Sequence, residues 1–289
     1  MPVTTLSPDW VSKRLPARAS TSDKRMHGRV LVVGGCEYYI GAPALAAQAA
    51  YRVGAGLVTL CVPPAIKPIV ATLCPEATHL PATELSTAKL HSVSAVLVGP
   101  GMGQADEART LLRCVLDLKL KVPHVLDADA LNLLAPITHP QTSQTFQTLP
   151  AQGILTPHAA EMARLLNSTV ADVQNNRAAV ATRAANEWQQ VVVLKGAHTV
   201  IAGPDQTETA TLPFANPALA VAGTGDVLAG CVAGLLAQGL GLFDAAACGA
   251  FLHGYAGELW RKHNNNADAG LLASDLLPLL PQARAALSH

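Results

Sequence analysis

From about Arg25 onward, short apolar runs alternate with stretches whose apolar residues fall at helical spacing. The run over 28–33 reads as a buried strand that stops at Gly34-Gly35. Leu45, Ala46, Ala49, Ala50 and Val53 then recur at three- and four-residue steps, which predicts a helix over 42–53. Further strands are predicted over 57–62, ended by Pro63-Pro64, and over 95–98, ended by Gly99-Pro100-Gly101-Met102-Gly103. A charged helix carrying Leu111, Leu112, Val115 and Leu116 follows. Three more strands each stop at unusual residues: 124–126 at Asp127-Ala128-Asp129, 153–155 at Thr156-Pro157-His158, and 191–194 at Lys195-Gly196. Helices are predicted over 130–135 and 172–188, and an antiparallel strand pair over 199–201 and 208–212. Three helices close the chain at about 224–238, 244–262 and 274–287, the last capped by Ser274.

Apolar strands alternating with helices predict an α/β, three-layer sandwich: a mainly parallel central sheet with helices on both faces. No Pro/Ser-rich linker or repeat divides the chain, so 26–289 is expected to be a single domain. Residues 1–25 lack periodicity and read as an N-terminal arm. In such sheets ligands sit beyond the carboxyl ends of the strands, where the residues just named fall.

Composition narrows the partners. Twenty Lys and Arg balance twenty Asp and Glu, so no excess of positive charge suits a nucleic-acid backbone. Cys36, Cys61, Cys74, Cys114, Cys231 and Cys248 are scattered, which argues against a disulfide framework or zinc site and for a reducing, cytoplasmic setting. The ten histidines include no H-E-x-x-H spacing. Residues 1–19 have no continuous apolar stretch of signal-peptide type. The apolar run over 218–240 contains Asp226 and Gln238. A buried aspartate at a bilayer centre costs about 2.5–3.5 kcal/mol, so a buried soluble helix is expected there and no membrane span.

The densest chemical signal is Ala222-Gly223-Thr224-Gly225-Asp226 at the start of that helix. Unpaired N–H groups and the positive end of the helix dipole make Gly223, Thr224 and Gly225 a candidate anion hole. Asp226 is a candidate base that takes a proton from a hydroxyl; it fits the capping of its own helix equally well. The chain has no G-x-x-x-x-G-K-[ST] and no G-x-G-x-x-G. Lys195-Gly196-Ala197-His198-Thr199 places a cation and a tight turn after a strand, suited to nucleotide phosphates or to a plain hairpin. His158 is a candidate substrate contact, and Glu161 either orients a hydrated Mg²⁺ or only complements its helix dipole. Asp127 and Asp129 fit a metal or water network or an N-cap, and neither is assigned a catalytic role. Gly41-Ala42-Pro43 lets a ligand approach a helix start, and Asn216-Pro217 is a turn that shapes the glycine run.

Taken in order, these segments resemble the ribokinase-like superfamily, and more closely its NAD(P)H-hydrate dehydratases that depend on ADP or ATP. The matching pieces are Val33-Gly34-Gly35 with 39–42, Arg52-Val53-Gly54-Ala55-Gly56-Leu57-Val58, Gly99-Pro100-Gly101-Met102-Gly103 and Asp127-Ala128-Asp129-Ala130-Leu131-Asn132. Thr156-Pro157-His158, Leu194-Lys195-Gly196, Gly223-Thr224-Gly225-Asp226, Leu252-His253-Gly254 and Leu272-Ala273-Ser274-Asp275 complete a match over about 25–280. The resemblance implies that Ala42, Gly101, Gly103, His158 and Asp226 contact the hydrated nicotinamide nucleotide, and that 195–199 with Gly225 hold ADP or ATP. It implies repair of the S-epimers of NADH hydrate and NADPH hydrate, with Mg²⁺ as cofactor, ADP as the preferred donor and a homotetrameric assembly. Cys36 and Ala222 depart from the residues usual at their positions, Ser and Gly. The epimerase domain frequent in the family is not seen, so no epimer interconversion is expected of this chain. The alternatives kept open are a ribokinase-like kinase of a vitamin precursor and a non-catalytic nucleotide-binding protein.

Overall fold

The computed structural model describes residues 3–118, 122–135, 153–204 and 209–287. Its strands are β1 (Thr4–Thr5), β2 (Arg29–Val33), β3 (Leu57–Cys61), β4 (Thr78–His79), β5 (Ala95–Val98), β6 (His124–Leu126), β7 (Gly153–Leu155), β8 (Val191–Leu194), β9 (Val200–Ala202) and β10 (Thr209–Thr211). They form one sheet in the order β1-β10-β9-β8-β7-β6-β5-β2-β3-β4. Among the described pairs only those made by β9 are antiparallel. The helices are α1 (Pro8–Ser12), α2 (Gly41–Arg52), α3 (Lys67–Leu73), α4 (Asp106–Asp117), α5 (Asp129–Leu134), α6 (Ala159–Leu166), α7 (Val170–Asn175), α8 (Arg177–Trp188), α9 (Thr224–Ala237), α10 (Leu242–His263) and α11 (Leu276–Ala285).

Successive strand residues point to opposite faces, and here both faces are dry. Val30, Val32, Leu97 and Ile154 join a core with α2, α9, α10 and α11. Leu31, Val33, Val98 and Leu155 join a second core with α4, α5, α6 and α8. The expected three layers are therefore present. No helix among the described residues is long and apolar enough to cross a membrane, and the 218–240 run supplies the buried α9 instead.

Three local expectations are corrected. The helix expected over 172–188 breaks at Asn176, whose backbone leaves the helical region at φ −131° and ψ 35°. The Asn176 amide donates back to the Asp172 carbonyl at 3.3 Å, and the restart aims Arg177 at the Leu194 carbonyl at 2.7 Å. Ser274 does not cap α11, which has no side-chain cap: it lies in a short 3-10 turn, Ala273–Asp275, which the Asp275 carboxylate closes by accepting the Leu272 N–H at 2.9 Å. A carboxylate three residues on reaches back to the N–H that opens such a turn, the reciprocal half of a capping box. Neither Asp127 nor Asp129 caps α5, because both carboxylates are held elsewhere. In the arm, Thr4 and Thr5 pair with β10, and Leu6 and Val11 are buried. Glu208, the expected start of a strand, lies outside the described residues.

What positions the site is the contact between α2 and α9. A Cβ on Gly230 would collide with the Ala46 carbonyl, and one on Gly234 would meet the Ala50 backbone. The same four-residue step on both helices means that they run parallel and in phase. Their opening turns, Gly41–Pro43 and Thr224–Asp226, thus start at one level. Two positive dipole ends face the same point. Gly230→Ala is expected to force the pair apart, costing about 1–3 kcal/mol by overpacking. A lowered melting temperature together with reduced turnover checks this.

Candidate active site

The α9 turn opens with Gly223 at φ +92°, a conformation that side chains rarely adopt. The Thr224 hydroxyl donates to the carbonyls of Leu219 (2.9 Å) and Val221 (3.0 Å), which ties the preceding loop down. Asn216 supports that loop in turn, its Oδ1 accepting the Ala218 N–H at 3.0 Å. No side chain caps the turn. The N–H groups of residues 224–226 therefore point outward, since the first N–H groups of a helix have no partner within it.

Beneath the turn lies a cluster of charges. The Lys195 ammonium reaches Asp127 Oδ1 at 2.6 Å and Glu161 Oε2 at 3.9 Å. Asp127 Oδ1 also accepts from the Thr156 hydroxyl at 2.7 Å. Burial alone would lower the Lys195 pKa, but Asp127 and Glu161 outweigh it and hold it above the ordinary value. Burial, reinforced by Asp127, pushes the Asp226 carboxyl up to about 7, with Lys195 opposing. Burial likewise takes Glu161 up to about 7 against the pull of Lys195. A carboxyl near 7 is suited to exchanging a proton at neutral pH.

His158 begins α6 and shares a capping box with Glu161. Its Nδ1 accepts the N–H groups of Ala160 (3.1 Å) and Glu161 (3.2 Å), while the Glu161 carboxylate accepts the His158 N–H at 2.7 Å. Burial, then Lys195, lowers the His158 pKa, so the neutral ring carries its proton on Nε2. Half of that side chain is exposed, with Nε2 3.5 Å from Glu161 Oε1, so a ligand can reach the ring from solvent. Glu161 is buried and occupied by this cap and by Lys195.

Across the sheet the glycine turn after β5 meets the loop after β2. A Cβ on Gly101 would lie 2.7 Å from the Tyr39 Cβ and 2.8 Å from the Ala42 Cβ, so only glycine lets these segments close up. Gly103 stands beside Cys36, and its N–H donates to Asp129 at 2.8 Å. Asp129 and Asp127 both raise the Asp226 pKa, which ties this side to the α9 turn.

On the opposite side a cleft of about 360 Å³ is lined by Lys195, Gly196, Ala197, Thr199 and Gly225. Its walls are mostly apolar: Leu212, Phe214, Leu219 and Leu228, with His253. His198 belongs to the same turn but bonds backward, its N–H donating to the Phe214 carbonyl at 3.0 Å. Arg177 supports the turn through the carbonyls of Leu194 (2.7 Å) and Lys195 (3.1 Å). Sequence reasoning assigns no role to Phe214, Leu219 or Leu228 and places His253 only within a motif match.

Residues 30–281 match the family model described as NAD(P)H-hydrate dehydratase. The chain belongs to the NAD(P)H-hydrate dehydratase family. It is 41% identical to the ADP-dependent (S)-NAD(P)H-hydrate dehydratase of Neisseria meningitidis, over 91% of this chain and 86% of that protein. It is 42% identical to a bifunctional NAD(P)H-hydrate repair enzyme of Moorella thermoacetica, over 96% of this chain and 53% of the relative. The chain thus spans about half the length of several curated relatives that it matches. Among solved structures it is similar to the ADP/ATP-dependent NAD(P)H-hydrate dehydratase of Bacillus subtilis co-crystallised with ATP and Mg²⁺. The TM-score is 0.87 at 31% identity, covering both chains fully. A ribokinase-like superfamily protein of Enterococcus faecalis gives 0.85 at 28% identity, over 99% of this chain and 96% of that one. The dehydratase family and the ribokinase-like fold agree with what the sequence motifs implied.

Proposed function

We propose that this chain restores NADH and NADPH from the S-epimers of their hydrates, using ADP or ATP as phosphoryl donor. The observation that carries the reading is Asp226, a carboxyl raised to about 7 in an uncapped helix turn flanked by a nucleotide-sized cleft. Ala42, Gly101, Gly103 and His158 are assigned to the hydrate. Lys195–Thr199 and Gly225 are assigned to the nucleotide, and the N–H groups of Gly223, Thr224 and Gly225 to the transferring phosphoryl. Asp226 takes the proton of the hydrate hydroxyl as its oxygen attacks the terminal phosphorus, and AMP or ADP departs. The C–O bond then breaks toward phosphate, driven by the ring-nitrogen lone pair. Loss of a ring proton restores the reduced nicotinamide. Phosphoryl transfer of this kind rests on positioning and electrostatics.

Mg²⁺ fits this site in one manner only. Asp127, Glu161 and Asp226 surround a single ammonium here, with Asp129 beyond them, yet Asp127, Asp129 and Glu161 are each committed to hydrogen bonds. Among the described residues no group of three or more His, Cys, Asp or Glu is placed to hold a metal. The ion would therefore be held by nucleotide phosphates and water, with Glu161 reached through water at most. When bound it screens the donor's charge. A cytoplasmic homotetramer completes the proposal.

Purified protein mixed with NADH hydrate, Mg²⁺ and either nucleotide tests the reading. Recovery of reduced-nicotinamide absorbance with AMP from ADP, or ADP from ATP, is expected. A stable phosphorylated vitamin precursor and untouched hydrate would instead mark a kinase. The base form of Asp226 is the active one, so kcat/KM is expected to rise with pH through about 7 and then level off. A pH–rate profile corrected for uncatalysed hydrate chemistry checks this.

A further inference from the structure

His253 lies on α10 with 9% of its surface exposed and faces the cleft near Lys195 and Gly225. Its ring is hydrogen-bonded to the Thr224 backbone, and burial lowers its pKa to about 4, so the imidazole is neutral. Nε2 is buried and has no hydrogen-bond partner within the protein. A neutral ring that carries its proton on Nδ1 keeps a bare lone pair at Nε2. That lone pair repels phosphate oxygens and suits an O–H or N–H.

Asn216 offers the complement. Its Oδ1 is fixed by the Ala218 N–H, which leaves Nδ2 as a donor. Nδ2 too is buried without a partner, and the residue lines the same cleft. Gly257 makes room for it, since a Cβ there would lie 3.1 Å from Nδ2 and 3.0 Å from Leu219. Leu212, Phe214, Leu219 and Leu228 make the surrounding walls mostly apolar, and the charged or hydroxyl side chains in the lining are Lys195, Thr199 and Thr224. Buried polar atoms without partners are costly, so a ligand that satisfies both is favoured over one that leaves them bare.

We propose that His253 and Asn216 form a matched acceptor and donor that select the nucleoside half of the donor nucleotide. This deepens the proposed function and rests on its assignment of the cleft to ADP or ATP. A ribose hydroxyl and the amino-bearing edge of adenine share the required chemistry, one group that donates beside one that accepts.

Calorimetric titration separates them. The probes are ADP, inosine diphosphate, 2′-deoxy-ADP and 3′-deoxy-ADP, with tripolyphosphate as a control for the anion site. The proteins are the full chain, His253→Phe and Asn216→Asp, the latter keeping the Oδ1 cap while losing the donor. One analogue is expected to bind the unaltered chain about 5- to 30-fold more weakly than ADP. That penalty is expected to vanish in His253→Phe, with tripolyphosphate affinity unchanged. Asn216→Asp is expected to weaken ADP to a similar degree. Equal binding of all four nucleotides to the unaltered chain overturns the proposal, as does a penalty that survives in His253→Phe. If His253→Phe does not fold, unchanged ADP affinity in Asn216→Asp overturns it. Failure of the unaltered chain to bind ADP at all removes the cleft assignment itself.

Discussion

Asp226→Asn is expected to lower turnover by about 10²–10⁴-fold, the usual loss when a positioned base is removed. The same variant is expected to melt at a higher temperature. Burial and Asp127 place the folded-state pKa near 7, above its ordinary value of 3.8. Between those values the folded chain binds more protons than the unfolded one, so this group makes stability fall as pH rises. Its destabilising effect is full above about pH 7, fades as pH drops through 7, and is gone below about 4. Asparagine removes it while keeping the shape. The gain in melting temperature is therefore expected to be larger at pH 8 than at pH 5, about 2–4 °C for each kcal/mol relieved. Activity and stability moving in opposite directions separates a catalytic carboxylate from a merely structural one.

The second large effect belongs to Lys195→Met. The ammonium is the cation nearest Asp127, which is 1% exposed. Removing one partner of a buried pair leaves the other charge uncompensated, at about 3–5 kcal/mol. A denaturant melt at neutral pH is expected to show that loss. The kinetics carry a more specific signature. Lys195 opposes the upward shift of Asp226 and of Glu161. Without it the acid limb of the pH–rate profile moves above its position near 7, and a profile that stays in place contradicts the coupling.

The strands β2, β3 and β5–β8 were readable because both faces of the sheet are dry there, so each became a short apolar run stopped by glycine, proline or polar residues, whereas β1 and β4, two residues each and partly exposed, carry no such run. The residues beyond those ends marked the candidate site, since the α/β layout gathers strand termini into one crevice. Contacts between distant segments were not readable. Nothing in Lys195 or Asp127 alone announces a 2.6 Å pair, and the sequence offered phosphate or solvent as the partner of that lysine. The in-phase pairing of α2 with α9 depends on which glycine meets which alanine across a gap of more than 180 residues. The helix break at Asn176 escaped because apolar spacing continues across it and only the backbone angles change. The wall of Phe214, Leu219 and Leu228 escaped for a similar reason, as apolar residues in loops and helices carry no mark of facing a ligand.

The oxygen of the hydrate hydroxyl records the chemistry most directly. With hydrate labelled by oxygen-18 at that hydroxyl, purified protein, Mg²⁺ and ADP are expected to release inorganic phosphate carrying one labelled oxygen for each NADH formed. Unlabelled phosphate with the heavy oxygen in water would contradict transfer of the phosphoryl group to the hydrate.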